Sequence, residues 1–160
     1  MSIVMALLAV GAMVLVDQVV KYWTAVVIAP VGSIPLIPGV VQLTYLENRG
    51  AAFSMLENQI WLFLLITVVV IGAIIIALKK NYIQNTWGKV SLLIVCAGAI
   101  GNMIDRVMHR YVIDMIQVLF IDFPVFNIAD IYVTVGVILF SIYYIFQHKD
   151  EKEKDKAESE

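Results

Sequence analysis

The chain has 160 residues, of which 61% are hydrophobic and 15% are charged, and its formal net charge at pH 7 is -2. Its mean hydropathy is +0.89. A chain this short and this apolar cannot hide its apolar surface in one water-soluble core, so the composition excludes an ordinary soluble domain and predicts a membrane protein. Its single cysteine, Cys96, excludes a disulfide framework and a Cys/His metal site.

Four apolar segments are candidates for membrane-spanning helices, since about 20 apolar residues cross a bilayer. We predict these spans at 3–28, 60–78, 90–104 and 128–146. The third is short for a full crossing, and it would bring Asn102 and Asp105 near the far interface. The first span is interrupted by Asp17 and Lys21, and the fourth has Asp130 in its first turn. The first span lacks the basic start and the cleavage site of a signal peptide.

The distribution of lysine and arginine indicates the orientation of the spans. With both termini in the cytoplasm, the inner side holds Lys79, Lys80, Lys89, Lys149, Lys152, Lys154 and Lys156. The outer side then holds Arg49, Arg106 and Arg110. Positive residues favour the cytoplasmic side, so Asp105, Asp114, Asp122 and Asp130 are expected to gather at the outer face.

Two outer segments connect the spans. Prolines and glycines at the start of 29–59 forbid a continuous helix, and the alternation that follows predicts a small sheet on the membrane surface. The segment 105–127 is expected to be a loop or short helix. The predicted fold is an all-α integral membrane protein, with four transmembrane helices, a small extracytoplasmic β-sheet and this outer loop or short helix. Residues 1–148 form one domain, and the charged tail 149–160 is expected to be cytoplasmic and disordered.

Several polar residues near the spans have structural as well as functional interpretations. Asp17 and Lys21 share a helix face and can form an ion pair or face a substrate. Asp105 and Arg106, one turn beyond Asn102, could simply tie a loop to a helix end. Asn127 is a good N-cap, with Asp130 in the favourable first turn of the helix.

Asp114 is harder to explain structurally, because it stands between Ile113 and Met115 with no cation beside it in the sequence. A carboxyl group buried without a cation tends to have a raised pKa. If folding brings it to Asp130, the two could share one proton and activate a water for attack on an amide. The sequence does not assign the proton, since coupled acids titrate as a unit. Ser54 has no evident His-Asp partners, and His109 stands alone, which weakens serine hydrolase and metal chemistry.

Taken in order, five motifs resemble those of the lipoprotein signal peptidases, the membrane aspartic peptidases also called signal peptidase II. They are DQVVK at 17–21, NRGAAFS at 48–54, GNMIDR at 101–106, VID at 112–114 and FNIAD at 126–130. The resemblance covers nearly the whole chain except the tail.

This resemblance implies a bacterial enzyme that cuts diacylglyceryl-modified prolipoproteins on the N-terminal side of the lipidated cysteine. It implies that Asp114 and Asp130 are the catalytic pair and that further polar residues bind substrate or support the pair. These supporting residues are Asp17, Lys21, Asn48, Asn102, Asp105, Arg106 and Asn127. It also implies a monomer in the cytoplasmic membrane that contacts lipid, binds globomycin-type inhibitors, needs no metal or organic cofactor and binds no nucleic acid.

Two other functions remain open from the residues. A small proton or ion carrier would use the intramembrane acids as a relay, although the second and third spans offer no ionisable group before Asn102. A structural membrane subunit would use its polar residues only to hold helices together.

Overall fold

The computed structural model describes residues 2–50, 56–57 and 59–159, with side chains described as far as residue 147. The helices are α1 (Ile3–Trp23), α2 (Ile60–Lys79), α3 (Thr86–His109) and α4 (Ile128–Ser159). A π-helical turn, Thr24–Ile28, continues α1. The strands are β1 (Ser33–Ile37), β2 (Val41–Asn48) and β3 (Val112–Val118). Among the described residues, four helical segments are long and apolar enough to cross a membrane, which confirms the predicted fold class.

α3 is the central helix, and each of the other three helices packs against it. Glycines permit its close approach to α4. A Cβ atom on Gly98 would overlap the backbone of Ala129, and one on Gly136 would lie 2.8 Å from the backbone oxygen of Ser91. Small residues at a helix interface let two backbones approach within the membrane. This close packing fixes the first turn of α4 against the C-terminal half of α3.

The three strands form one antiparallel sheet in the order β1-β2-β3. The alternating pattern that predicts a strand near residues 41–48 is confirmed by β2. β1 is an edge strand, where Pro35 is tolerated because its missing N–H is not needed by a neighbour. In β2 and β3, Leu46 pairs with Asp114 and Asn48 with Val112.

The route of the chain from α3 to α4 places β3 beside the start of α4. α3 ends at His109, and Arg110 adopts a left-handed conformation with φ of 69° that turns the chain into the strand. After β3, the backbone of Phe126 exchanges hydrogen bonds with Ile116 at 2.8 and 3.1 Å. This bridge holds the residues just before α4 against the strand that carries Asp114.

Three expectations from the sequence differ from the structure. The third span is longer than 90–104, because polar residues at both ends of α3 hide its true length from a search for apolar runs. Part of 105–127 forms β3 rather than a loop or short helix. The tail 149–160, expected to be disordered, continues α4 as far as Ser159. Its Glu, Lys and Ala residues are good helix formers, and a helix already formed extends without a new nucleation step.

Candidate active site

Asp114 and Asp130 line one cavity at the end of the bundle that carries the sheet, with a volume of about 540 Å³. Asp114 comes from β3 and is 1% exposed, whereas Asp130 comes from the first turn of α4 and is partly exposed. The wall beside them is apolar and includes Phe123 and Phe126. Two carboxyl groups separated by 16 positions in the chain therefore face the same space.

Asn127 links the two carboxyl groups. Its side-chain Nδ2 donates to Oδ1 of Asp114 at 2.6 Å, and its backbone N–H donates to Oδ2 of Asp130 at 3.1 Å. Its Oδ1 in turn accepts from the backbone N–H of Asp130 at 3.0 Å. This reciprocal pair is a capping box, so the N-cap expected for α4 is confirmed. The same residue also holds Asp114 against that helix end.

Two further amides complete the hydrogen bonds of the pair. Nδ2 of Asn48, at the end of β2, donates to Oδ2 of Asp114 at 2.8 Å. Nδ2 of Asn102, on α3, donates to Oδ1 of Asp130 at 2.7 Å. Each carboxyl group thus accepts on both oxygens from neutral donors. Neither forms an ion pair among the residues that the structure describes.

The electrostatic setting favours the protonated form of Asp114. Burial, followed by the nearby charge of Asp130, raises the pKa of Asp114 from 3.8 to about 7. Hydrogen bonds from Asn48 and Asn127 and the charge of Lys21 act in the opposite direction and offset only part of this effect. A carboxyl group with this pKa can both hold and release a proton near neutral pH.

A second group of acids lies beneath the first and contains its own cation. Nζ of Lys21 lies 3.0 Å from Oδ2 of Asp17 and 3.1 Å from Oδ2 of Asp105, and all three residues are at most 1% exposed. The ion pair that the spacing of Asp17 and Lys21 predicts is therefore present. Oδ1 of Asp17 accepts from the backbone N–H of Ala129 at 2.9 Å, and Oδ2 of Asp105 accepts from that of Ile113 at 3.0 Å.

Lys21 connects this group to the cavity. It donates a third hydrogen bond to Oδ1 of Asn102 at 2.9 Å, and Asn127 donates to the same oxygen at 3.1 Å. The orientation of the Asn102 amide follows, because a flipped amide would point its NH2 group at an ammonium ion. Its Nδ2 must therefore face Asp130.

Arg106 lines the same cavity from α3. It donates hydrogen bonds of 3.4 Å to the backbone oxygens of Gly50 and Asn102, and its guanidinium lies 4.7 Å from the centroid of the Phe63 ring. Its position between the β2 end, α2 and the cavity suits a group that orients a polar part of a ligand. Residues 51–55, which complete the motif that begins at Asn48, lie outside the described part of the chain.

The sequence reasoning missed Gln18. Its Nε2 donates to Asp17 at 3.2 Å, to Asp105 at 3.0 Å and to the backbone oxygen of Gly101 at 3.2 Å. The signal was available, since a glutamine inside an apolar span needs hydrogen-bond partners. Asp122 and His109, by contrast, are exposed and do not line the cavity.

Sequence comparisons place these residues among known proteins. A family model described as Signal peptidase (SPase) II matches residues 9–146. A lipoprotein signal peptidase of Streptococcus thermophilus (strain CNRZ 1066) is 52% identical over 131 residues, which cover 82% of this chain and 86% of that protein. One from Streptococcus pyogenes serotype M5 (strain Manfredo) is 51% identical, over 81% of this chain and 86% of its own length.

Solved structures of similar fold include two described as bacterial membrane enzymes. One, determined by the in meso method at 2.3 Å resolution, is 35% identical and has a TM-score of 0.85, covering 94% of this chain and 93% of that one. The other, at 1.9 Å resolution, is also 35% identical with a TM-score of 0.80, over 89% and 93% of the two chains. The similarity extends over the whole bundle and its sheet.

Proposed function

The chain belongs to the signal peptidase II family, so it is a multi-pass membrane protease that removes signal peptides from prolipoproteins, and we propose that Asp114 and Asp130 are its catalytic pair. The observation that carries this proposal is that the two acids line one cavity, are joined through Asn127 and lack an ion-pair partner in the described structure. Family membership does not favour the carrier or the structural subunit.

The different surroundings of the two acids, one deeply buried in β3 and the other in the first turn of α4, support a division of labour between them. Asn102 donates to Asp130, which lies in the first turn of α4 where the helix dipole favours an anion, so we assign Asp130 the role of the base. Asp114, deeply buried and with a raised pKa, holds the proton. Two carboxyl groups that share one proton are the arrangement on which aspartic peptidases depend.

The proposed reaction needs only a water and this one proton. Asp130 takes a proton from the water as the water oxygen attacks the scissile carbonyl carbon, while Asp114 gives its proton to the carbonyl oxygen. The tetrahedral intermediate then collapses. The C–N bond breaks, the leaving nitrogen receives the proton that Asp130 took, and Asp114 recovers its own from the intermediate. The products are the signal peptide and a chain whose first residue is the lipid-modified cysteine.

The supporting residues have separate proposed roles. Lys21, held by Asp17 and Asp105, acts as a positioning residue, because it fixes the Asn102 amide that faces Asp130. Asn48 and Asn127 hold Asp114 from two sides. Arg106 is placed to bind the main chain or lipid esters of the substrate.

A membrane-anchored substrate needs a sideways entrance, and the helices leave one. α2 and α4 both pack against α3, and a cleft of about 310 Å³ between them is lined by Ile66, Val70, Val133 and Thr134. This cleft also reaches Asn102, Arg106 and Asp130. We infer that the apolar part of the signal peptide lies in the cleft while its end reaches the acids. The site would then face the extracytoplasmic side, with both termini in the cytoplasm.

A cleavage assay tests the catalytic pair. Purified protein in detergent micelles is mixed with a diacylglyceryl-modified prolipoprotein, and the products are separated by mass. Wild type should release the signal peptide, and a globomycin-type inhibitor should block the release. Asp114→Asn and Asp130→Asn should each lower turnover by about a thousandfold or more, by analogy with the loss of other catalytic side chains. Asp122→Asn, a matched exposed control, should cleave as wild type does.

The assay separates the family function from the proposed mechanism. If either variant of the pair keeps wild-type turnover while its fold and the inhibitor response are unchanged, the chain is still a signal peptidase but the assignment of the pair is wrong. A control with a metal chelator also tests the mechanism separately from the family function. Loss of turnover in wild type on chelation would contradict a mechanism that relies on two carboxyl groups alone.

A further inference from the structure

A groove at the opposite end of the bundle from the acids lies between α1 and α2. Both helices pack against α3 but hardly touch each other, which leaves a space of about 610 Å³. Its walls include Ala6 and Val10 of α1 and Ile75 and Leu78 of α2, and Cys96 of α3 forms part of its floor. None of these residues has a role in the proposed reaction.

The groove has one polar end. Ser2, Lys79, Asn81 and Lys89 line that end, and the other lining residues are apolar. The two lysines face no acid among the residues that line the groove, and no ion pair of either is present in the described structure. Nζ of Lys89 donates a long hydrogen bond of 3.4 Å to Oδ1 of Asn81. The polar end is therefore positively charged and available to an anion.

The length of the groove matches one leaflet of a bilayer. Along α3 it runs from Lys89 to Ile100, and eleven helical residues span roughly 16 Å at 1.5 Å per residue. The hydrocarbon core of a bilayer is about 30 Å thick, so one leaflet is about half of that. An acyl chain that begins at the lysines would therefore end where the groove ends.

From this match of length, apolar lining and charge, we propose that the groove binds an anionic phospholipid. One acyl chain lies between α1 and α2, and the phosphate lies against Lys79 and Lys89. The lipid joins two helices that barely contact each other, and it does so far from the acids. The ligand of this groove is thus a phospholipid of the surrounding membrane, and it is separate from the lipid attached to the substrate.

Native mass spectrometry of the full-length protein with added lipids tests the proposal. Wild type in detergent should retain dioleoyl phosphatidylglycerol more strongly than dioleoyl phosphatidylcholine, and dioleoylglycerol least. The double variant K79Q/K89Q should lose this preference, by roughly fivefold for each lysine removed near an anionic headgroup. K80Q/R110Q, which removes the same charge at two exposed residues that do not line the groove, should bind as wild type does. Inorganic phosphate alone should not compete, since it lacks the acyl chain.

A second pair of variants tests the apolar part. Ala6→Phe places a ring in the groove and should reduce binding of both phospholipids by about tenfold, given the free energy of the buried CH2 groups it displaces. Ala9→Phe, on the exposed side of the same helix, should leave binding unchanged. Thermal unfolding should show added phosphatidylglycerol stabilising wild type and Ala9→Phe but not Ala6→Phe.

Three results would overturn the proposal. Equal retention of the two phospholipids by wild type, or the same retention in wild type and K79Q/K89Q, would remove the anion site. Wild-type binding by Ala6→Phe would place the lipid elsewhere. Dimers that disappear in Ala6→Phe would show that a second copy of the chain fills the groove.

Discussion

The protein contains two pairs of acids that differ in whether a cation lies between them. Asp17 and Asp105 flank the ammonium group of Lys21, whereas Asp114 and Asp130 are held only by amides and a backbone N–H. The charge of a buried acid beside a cation is balanced by that cation, and the acid has a structural role. A buried acid without one must keep or exchange a proton, which is the property that a general acid or base requires. Burial alone therefore does not distinguish Asp17 and Asp105 from Asp114, one of the two acids proposed to be catalytic.

The largest expected effect comes from removing the cation of the structural pair. Lys21→Met leaves two buried carboxyl groups without a cation, and breaking a buried pair in this way costs about 3 to 5 kcal/mol. The loss should appear in thermal or denaturant unfolding in micelles. Lys80→Met, at an exposed lysine, should unfold as wild type does. A Lys21→Met protein with wild-type stability would mean that the two pairs do not differ as described.

A smaller effect, on turnover, is expected at the residue that joins the pairs. Asn102→Leu removes the donor to Asp130 while keeping the volume of the side chain similar. Misplacing a catalytic group in this way costs about a hundredfold in turnover, with little change in substrate affinity. Asn102→Asp should not restore activity, because it adds a carboxyl group where a donor is needed. A change in KM alone would indicate substrate binding instead of positioning.

The pH dependence of cleavage follows from the pKa of Asp114, which burial and the charge of Asp130 raise to about 7. Asp114 must be protonated to give its proton, so turnover should fall as the pH rises above about 7, by up to tenfold per pH unit. The same raised pKa also makes the stability of the folded protein depend on pH. In the unfolded chain this acid ionises near 3.8, so the folded state binds the extra proton and loses stability as the pH rises from about 4 to about 7. A turnover that rises steadily through neutral pH would contradict the proposed protonation of Asp114.

The smallest effect is expected at an ion pair on the outer surface. Arg49 and Glu47 lie 2.9 Å apart, and their side chains are 49% and 36% exposed. Exposed pairs contribute little, so Glu47→Gln should change stability by about 0.5 kcal/mol or less. Glu47→Gln adds a third case to the comparison, that of an acid whose charge is already stabilised by water. A large loss would mean that the sheet depends on this pair.

Much of the fold is predictable because lipid restricts it. Apolar runs near 20 residues must be helices, so four spans could be identified, together with a strand from its alternation. β3 could not be identified, because Val112 to Met115 are all buried and the strand lacks the polar alternation of a half-exposed one.

The candidate site was only partly predictable. Asp114 and Asp130 stand out in the sequence as acids in apolar surroundings, and the family resemblance connects them. Their approach depends on β3 and on the bridge between Ile116 and Phe126, which no local pattern reports. The orientation of the Asn102 amide depends on Lys21 and Asn127, two residues from different helix ends. Such details appear only when several elements are packed together.

The most direct test of the account is the proton held by the proposed catalytic pair, measured by infrared difference spectroscopy on wild type as pH rises from about 5.5 to about 8.5. The account predicts that one protonated carboxyl group is lost near pH 7, that this signal is absent from Asp114→Asn, and that it is unchanged in Asp122→Asn. Persistence of the same signal in Asp114→Asn, or no carboxyl titration in this range, would contradict the claim that the two acids share a proton.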